Sequence, residues 1–589
     1  MKKSIRFLIL TTLFAVVFGC FAMANAAEDF VIVDGTTWVD NQQVPTKTLT
    51  AYNGPGGAVE IPAEVTIIDI NAFKGNRTVT SITIPEGVTT IRDSAFSNCL
   101  SLGSVTLPDS LIDIGYGAFS GCAALASVDI PASVTGIGGR VFEGCAKLTS
   151  VVLPDTVTLD QYDSYIFNGC TSLISVTLPN DLTMIPNHMF SGCAKLSSVN
   201  IPEGVTTIED SAFSGCKALT DVTLPQSLRS INESAFSGSG ITSLTIPSAV
   251  HTIGDYAFHE TALTEVIIPE SVTSLGSGAF RNCEALASLT LPPSLIYCGK
   301  NIVTGCSSLP SLTIPDNLIA KWDYDFSGCA ALTGMTLPEG VTEFSFYGCS
   351  SLQSLVIPEG VTELGDSDSG NGVLQGCTSL AAVELPSTLR TIGRYTFRSC
   401  ESLASITLPA ELTTLGEYAF SGCSALESIN IPGSITVIPR SAFYECSALT
   451  GARLNDGTTT IEESAFSGCD KLSYVYVPAS VTTISRDAFG WGSRTLTLWG
   501  ASGSYAETYA KQHDLTFQDT TVGEVTYRFR AGKTVKITAV PDTGWHFVNW
   551  SCAAGNVTFA DANSAVTTFV MPSAEVTVTA TFAADEAAD

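Results

Sequence analysis

Fifteen cysteines recur at one position of a repeated motif: Cys99, Cys122, Cys145, Cys170, Cys193, Cys216, Cys283, Cys306, Cys329, Cys349, Cys377, Cys400, Cys423, Cys446 and Cys469. Thiols in such numbers could be nucleophiles, disulfide halves or ligands for a soft metal. The residues around them are nearly constant, as in "SAFSGC" at Ser211–Cys216 and again at Ser464–Cys469. Metal binding needs several ligands converging on one point, whereas one cysteine per unit gives a line of sulfurs. Disulfides between neighbouring units would suit the spacing and an exported compartment. Fifteen is an odd number, however, and the row is broken at Ser239 and by a one-residue deletion near Thr261. The pattern favours a third role, a structural ladder of small buried hydrophobes, which free cysteine often fills.

Other chemistry is sparse. The histidines His188, His251, His259, His513 and His546 are scattered, and no H-E-x-x-H, G-x-S-x-G, Walker or C-x-x-C pattern occurs. The expectation is a non-catalytic protein with no cofactor and no resident metal. "DSDSGN" places Asp366 and Asp368 at the i, i+2 spacing of a calcium loop. Asn371 stands where that loop needs glycine and no glutamate follows at the twelfth position, so a solvated loop is expected. Binding surfaces concentrate Trp, Tyr and Arg. By that measure the candidate partner contacts are Tyr474, Tyr476 and Arg453, with Trp322 and Tyr324 as a smaller cluster and the Asp366/Asp368 loop as a further candidate.

All of these residues sit on a repeat. Ile-Pro, Leu-Pro or Val-Pro dipeptides begin at Ile61, Ile84, Leu107, Ile130 and Leu153 and continue to Val477, most often 23 residues apart. A unit this short cannot bury its own apolar face, so the units must stack as a solenoid. In "LASVDIPASVTGIGGRVFEGCAKL" (Leu125–Leu148) the first seven residues alternate as a strand, which Pro131 ends. Val141 and Phe142 then fall on a short helical or 3₁₀ stub and Gly144 turns the chain. The expected architecture is an α/β solenoid with one parallel strand per coil. About nineteen coils at ~4.8 Å would span roughly 90 Å. The Ala-Phe pair of each unit should stack Phe96, Phe119, Phe142, Phe167 and Phe190 along the core axis. The outward strand positions are mostly hydroxyls, such as Ser81/Thr83, Ser243/Thr245 and Ser405/Thr407.

The motif L-x-S-V-x-I-P-x-x-V-x-x-I-x-x-x-A-F-x-G-C, repeated from about Ile61 to Val477, resembles leucine-rich repeats of the BspA-like type. That resemblance implies a secreted or surface-attached bacterial protein, some relatives serving as adhesins. A second module, Tyr527–Phe582, carries G-x-x-V-x-I-T-A-x-P-x-x-G-W-x-F-x-x-W and a later "TTFVMP". It is similar to the internalin B-repeat of bacterial surface proteins, which implies a spacer or wall-proximal domain. Trp545, His546 and Trp550 within it are core aromatics or a carbohydrate contact.

Four units depart from the period. Those ending at Leu244 and Val266 are short and lose Gly-Cys, the unit around Gln161–Ile166 is long, and Glu339–Cys349 is short. The next unit then gains residues at Gly365–Gly372. Insertions in solenoids collect on one face, often a binding face.

At the start, Lys2, Lys3 and Arg6 precede an apolar run, and "AMANA" offers cleavage after Ala26, the pattern of a signal peptide. "VFGC" at Val17–Cys20 offers an alternative, a weak lipobox that would make Cys20 a lipid anchor. No second run long enough to span a bilayer is present in this sequence. The formal charge of −29 repels phosphate backbones and argues against nucleic acid as a partner.

The expected organisation is signal peptide 1–26, N-terminal cap 27–60, solenoid 61–499, C-terminal cap 500–520, small β domain 521–583 and acidic tail 584–589. The expected function is a secreted or surface-associated protein-binding scaffold, adhesion being one use, for protein ligands. The alternatives are a passive structural spacer of the cell envelope, or carbohydrate binding through the C-terminal domain.

Overall fold

The computed structural model describes residues 27–39, 42–159, 164–318, 322–365, 372–490, 496–520, 534–539, 545–552, 557–570 and 578–584. The expected signal peptide, the candidate lipid-anchor Cys20, and Asp366 and Asp368 lie outside the described residues.

The coil Leu196–Cys216 shows how the sequence makes the repeat. Ser198–Val199 is a short strand in register with Ser175–Val176 of the coil before. Pro202 ends that segment, and a second strand, Thr207–Ile208, pairs in parallel with Met184–Ile185 on one side and Ser230–Ile231 on the other. The chain then turns through Ser211–Gly215. There the Phe213 amide donates to Ala235 of the following coil at 2.7 Å, a third row of bonds between coils.

Each regular coil therefore supplies two parallel ladders, not one. The second ladder places Ile68, Ile91, Ile114 and Ile137 in adjacent register, all buried. Two residues suffice for a strand because bonds to neighbouring coils continue on either side of it.

The expected helical stub is absent, and the architecture is a β-solenoid rather than an α/β one. Among the described residues the helical segments are Tyr505–Gln512 and two 3₁₀ turns, Ala27–Asp29 and Asp316–Leu318. The cause is local. Ser211 has φ 55° and Gly215 φ 72°, and their counterparts Ser464 (56°) and Gly468 (77°) do the same. Left-handed residues on both sides of the Ala-Phe pair leave isolated turns and prevent a helix from propagating.

Inside, the phenylalanines stack. Phe190, Phe213 and Phe236 are fully buried, with centroid separations of 5.3 and 5.2 Å. The file runs from Phe73 to Phe280, and a second runs from Phe397 to Phe489.

The cysteine ladder lies beside this file. All fifteen of its thiols are free, and all are buried. Each sulfur donates to a carbonyl one coil back, at the phenylalanine position. Cys99 reaches Phe73 at 3.0 Å, Cys216 reaches Phe190 at 3.2 Å and Cys469 reaches Phe443 at 3.1 Å. Where that position is not phenylalanine the bond persists, Cys329 to Val303 and Cys400 to Leu374. Cysteine thus combines small apolar volume with a weak donor. Burial pushes the thiols of Cys145, Cys193 and Cys423 up to about 12 and that of Cys283 to about 11.

The stack begins with an antiparallel hairpin, Phe30–Val39 with Gln42–Tyr52, whose second strand pairs in parallel with Ile67–Ile68. It ends with Thr497–Gly500 paired to Thr516–Asp519, and the helix Tyr505–Gln512 between them covers the core. Tyr505 and Tyr509 do not share the buried face. Tyr509 is buried with Ala506 and Ala510, and its hydroxyl donates to Ser485 and Arg486, whereas Tyr505 is exposed.

In the C-terminal region, Thr534–Thr538 pairs antiparallel with Val566–Val570, and Trp545–Cys552 with Val578–Ala584. Val535 and Phe569 form a small core there.

Two predictions follow from this packing. Phe213→Ala should cost about 3–5 kcal/mol, the range for a truncated buried aromatic, measured by urea denaturation. A loss below about 1 kcal/mol would remove the phenylalanine file from the core. Alkali should also destabilise the solenoid steeply. An unfolded thiol ionises near pH ~8.5, while burial lets Cys145, Cys193, Cys283 and Cys423 hold their protons to about 11 or 12. Above pH ~9 the unfolded chain thus binds fewer protons than the folded one. Stability then falls by up to about 1.4 kcal/mol per pH unit for each such thiol. The urea midpoint should drop sharply between pH 9 and 10.5. The slope should flatten when Cys145, Cys193, Cys283 and Cys423 are changed to alanine. An unchanged slope in that variant would rule out those four thiols as a source.

Candidate functional site

Two sequence candidates leave the surface. Trp322 and Tyr324 are 6% and 1% exposed. They alternate with Asp323 and Asp325 and share the inward parity of Phe326, so they fill the core of their coil. Burial raises the Tyr324 hydroxyl above its usual range. Their spacing from Phe326 was the available sequence signal.

Tyr474, Tyr476 and Arg453 do come together. Tyr474–Tyr476 is a strand whose middle residue, Val475, is buried while both tyrosines are part-exposed. Strand register aligns one outward file, Asn430, Arg453, Tyr476, Trp499 and Gln518, on five successive strands. A neighbouring file runs Ser428, Gly451, Tyr474, Thr497 and Thr516.

The side chains are arranged by their neighbours. The Arg453 guanidinium lies over the Tyr476 ring, 4.5 Å from its centroid, and its Nε donates to Asn455 Oδ1 at 3.2 Å. The Asn455 amide in turn donates to Asn430 Oδ1 at 3.2 Å. Such a cation–π contact is worth about 0.5–1 kcal/mol at an exposed site.

Tyr474 lies down across the sheet. A Cβ at Gly451 would collide with its ring, so glycine there, where the preceding coil has Ser428, makes room for it. The same ring meets Trp499 at 5.9 Å with a 49° tilt. Sequence reasoning missed Gly451 and the Asn430–Gln518 file, and did not place Trp499 in it. Counting one coil from Tyr476 would have put Trp499 there, but "LTLWG" lacks the proline that marks the register elsewhere.

The remaining candidates are separate from this patch. Trp550 donates its indole N–H to the Ser564 carbonyl at 3.0 Å, an internal bond. Asp366 and Asp368 lie outside the described residues. Among the described residues, no group of three or more His, Cys, Asp and Glu side chains is placed to hold a metal ion. No helix of the described residues is long and apolar enough to cross a membrane.

The arrangement offers two rings and an indole on a rigid sheet, ringed by amide groups and one guanidinium. That is equipment for contact; none of these groups is paired as nucleophile and base.

Comparison with known proteins follows the same division of the chain. The family model for the BspA type leucine rich repeat region matches residues 57–163, 158–261, 251–368 and 367–495. A divergent InlB B-repeat domain matches residues 513–586. No curated protein matches the chain. Among solved structures, a leucine-rich repeat protein from Bacteroides ovatus is 25% identical, covering 80% of this chain and 100% of its own, with a TM-score of 0.38. A leucine rich cell surface protein from Faecalibacterium prausnitzii is 27% identical, covering 80% and 96%, with a TM-score of 0.22. The pneumococcal vaccine antigen PcpA is 16% identical, covering 84% and 99%, with a TM-score of 0.26. With its repeats matched over most of its length and a B-repeat module after them, the chain belongs to the BspA-type leucine-rich-repeat proteins.

Proposed function

We propose that this protein is a non-catalytic scaffold, exported to the cell surface or beyond, that recognises another protein through the Arg453/Tyr474/Tyr476/Trp499 patch. The observation that carries this reading is the seating of Tyr474 on Gly451, which gives the sheet a flat aromatic face among files of small hydroxyls. Anchors of this kind hold most of the affinity in protein interfaces. The leader supports export, the acidic surface supports a partner other than nucleic acid, and adhesion to host or bacterial surfaces is the use that fits the family.

A passive spacer is the second reading, and one observation favours it. Many surface hydroxyls already serve the array, donating to carbonyls one coil back. Thr450 reaches Glu427 at 3.0 Å, Ser473 reaches Thr450 at 2.9 Å and Ser480 reaches Thr458 at 2.7 Å.

The two readings part on the outward aromatics. Immobilised wild-type protein should retain a partner from host-matrix or bacterial-surface extracts. Tyr474→Ala with Tyr476→Ala should weaken that retention at least about tenfold, or roughly 1.4 kcal/mol. Gly451→Val should do the same by lifting the Tyr474 ring. Ser243→Ala with Thr245→Ala, on a mid-array coil, should change little. Equal retention by folded wild type and both patch variants would leave the spacer.

A further inference from the structure

The middle of the array carries a second surface, independent of the aromatic patch. From Trp322 to Leu389 the sequence holds nine carboxylates (Asp323, Asp325, Glu339, Glu343, Glu359, Glu363, Asp366, Asp368 and Glu384) and no Lys, Arg or His. Both ladders are broken in the same region. Strand Ser354–Val356 pairs along its length with Ala382–Glu384 but meets the preceding coil only through a single Ser354–Gly334 bridge, and the second ladder has no strand between Tyr297–Cys298 and Glu363–Leu364 among the described residues.

Two open depressions of about 630 and 680 Å³ lie on the sheet face at this break. They adjoin, sharing Glu359, Glu384 and Leu385 in their walls. Their floor is built of small side chains: Val356, which is 57% exposed, with Ala381, Ala382 and Pro409 and the hydroxyls of Ser405 and Thr407. Glu339 and Glu411 stand exposed at the rim, and Glu384, in register with Val356 on the next strand, stands exposed between them. Glu359 is already engaged, accepting from the Ser387 amide and hydroxyl and from the Thr388 amide, which holds its carboxyl below the usual range. It braces two coils while the other three carboxylates face solvent.

We infer that this trough binds an extended basic segment of a partner protein, with lysine or arginine alternating with small apolar residues. Glu339 and Glu411 sit three coils apart, or roughly 14 Å at the ordinary strand spacing, a distance spanned by about four or five residues of extended chain. Alternate side chains of such a segment would point to the small side chains of the floor and to the exposed carboxylates. Among the described residues no Lys, Arg or His lines either depression, and Arg390 beside them is turned onto the Ser387 and Leu389 carbonyls. The trough thus gives a basic ligand a net negative potential, which speeds encounter and selects against acidic partners.

The test is fluorescence anisotropy on the full chain with a labelled (Lys-Ala)₅ peptide. Saturable binding that weakens with salt is expected. Glu339→Gln/Glu384→Gln/Glu411→Gln should weaken it at least about tenfold, and so should Ala382→Lys, which places a cation in the floor. The charge-matched control Asp221→Asn/Glu265→Gln/Glu284→Gln, on exposed acids of other coils, should change it less than about twofold. No binding to wild type, equal loss in the control, or equal affinity for a (Ser-Ala)₅ peptide would each overturn the inference. So would saturable Ca²⁺ binding by calorimetry that the triple variant abolishes while peptide binding stays unchanged. A failure here leaves the Tyr474 patch untouched, because that surface lies on other coils.

Discussion

Every coil depends on its neighbours to complete its backbone hydrogen bonds. The bonds run from one coil to the next along two short ladders and the Phe–Ala row, as with Ile208 beside Ile231 and Phe213 donating to Ala235. A buried amide or carbonyl left without a partner costs free energy comparable to a lost hydrogen bond. Each coil must therefore match the backbone path of the one before it. That requirement fixes the identity of most residues, since a change of size at an inward position displaces every row stacked upon it.

The cysteine ladder is a direct consequence. The residue three positions after phenylalanine faces the core next to a carbonyl of the previous coil, so it must be small, largely apolar and able to donate. The two exceptions show what is at stake. Thr261 keeps a hydrogen bond, to the carbonyl of Phe258 at 2.9 Å, and also meets the Cys283 sulfur at 3.2 Å. Ser239 is 3% exposed and its hydroxyl has no partner among the described residues. A hydroxyl is shorter than a thiol and more costly to bury unpaired, which explains why cysteine holds nearly every coil.

Much of this was legible before any coordinates. Periodicity gave the solenoid, the inward rows and the phenylalanine file, because a stacking rule acts on single positions and repeats in the text. The second ladder was not legible. Thr207–Ile208 is too short to show strand alternation, and its strand character comes from the adjacent coils. The helical stub was misread because composition at Ser211 and Gly215 does not announce a positive φ at both. Trp322 and Tyr324 looked like anchors because their coil keeps the 23-residue period, which puts them in register with Glu209 and Ser211, part-exposed positions of a regular coil. Tyr474, Tyr476 and Arg453 were visible, but the glycine that seats the ring was not, since a missing side chain has meaning only once its neighbour is placed.

The same constraint indicates where a solenoid can acquire a function. Inward positions are committed to packing, and many surface hydroxyls are committed to the coil behind them. Freedom remains at outward strand positions and at coils where the ladders lapse. The aromatic patch belongs to the first kind: the outward file Arg453, Tyr476, Trp499 departs from the hydroxyl pattern, and Gly451 makes room for the neighbouring Tyr474 ring. The trough belongs to the second. There the strand ladders lapse around the short coil Glu339–Cys349, and the sheet face opens into a depression lined by carboxylates with no cation among the described lining residues. A rigid array that holds two unlike surfaces at a fixed separation could engage two segments of one partner. The second contact would then form at the effective concentration set by the first. Modest affinities at each surface would combine without any conformational change in the array.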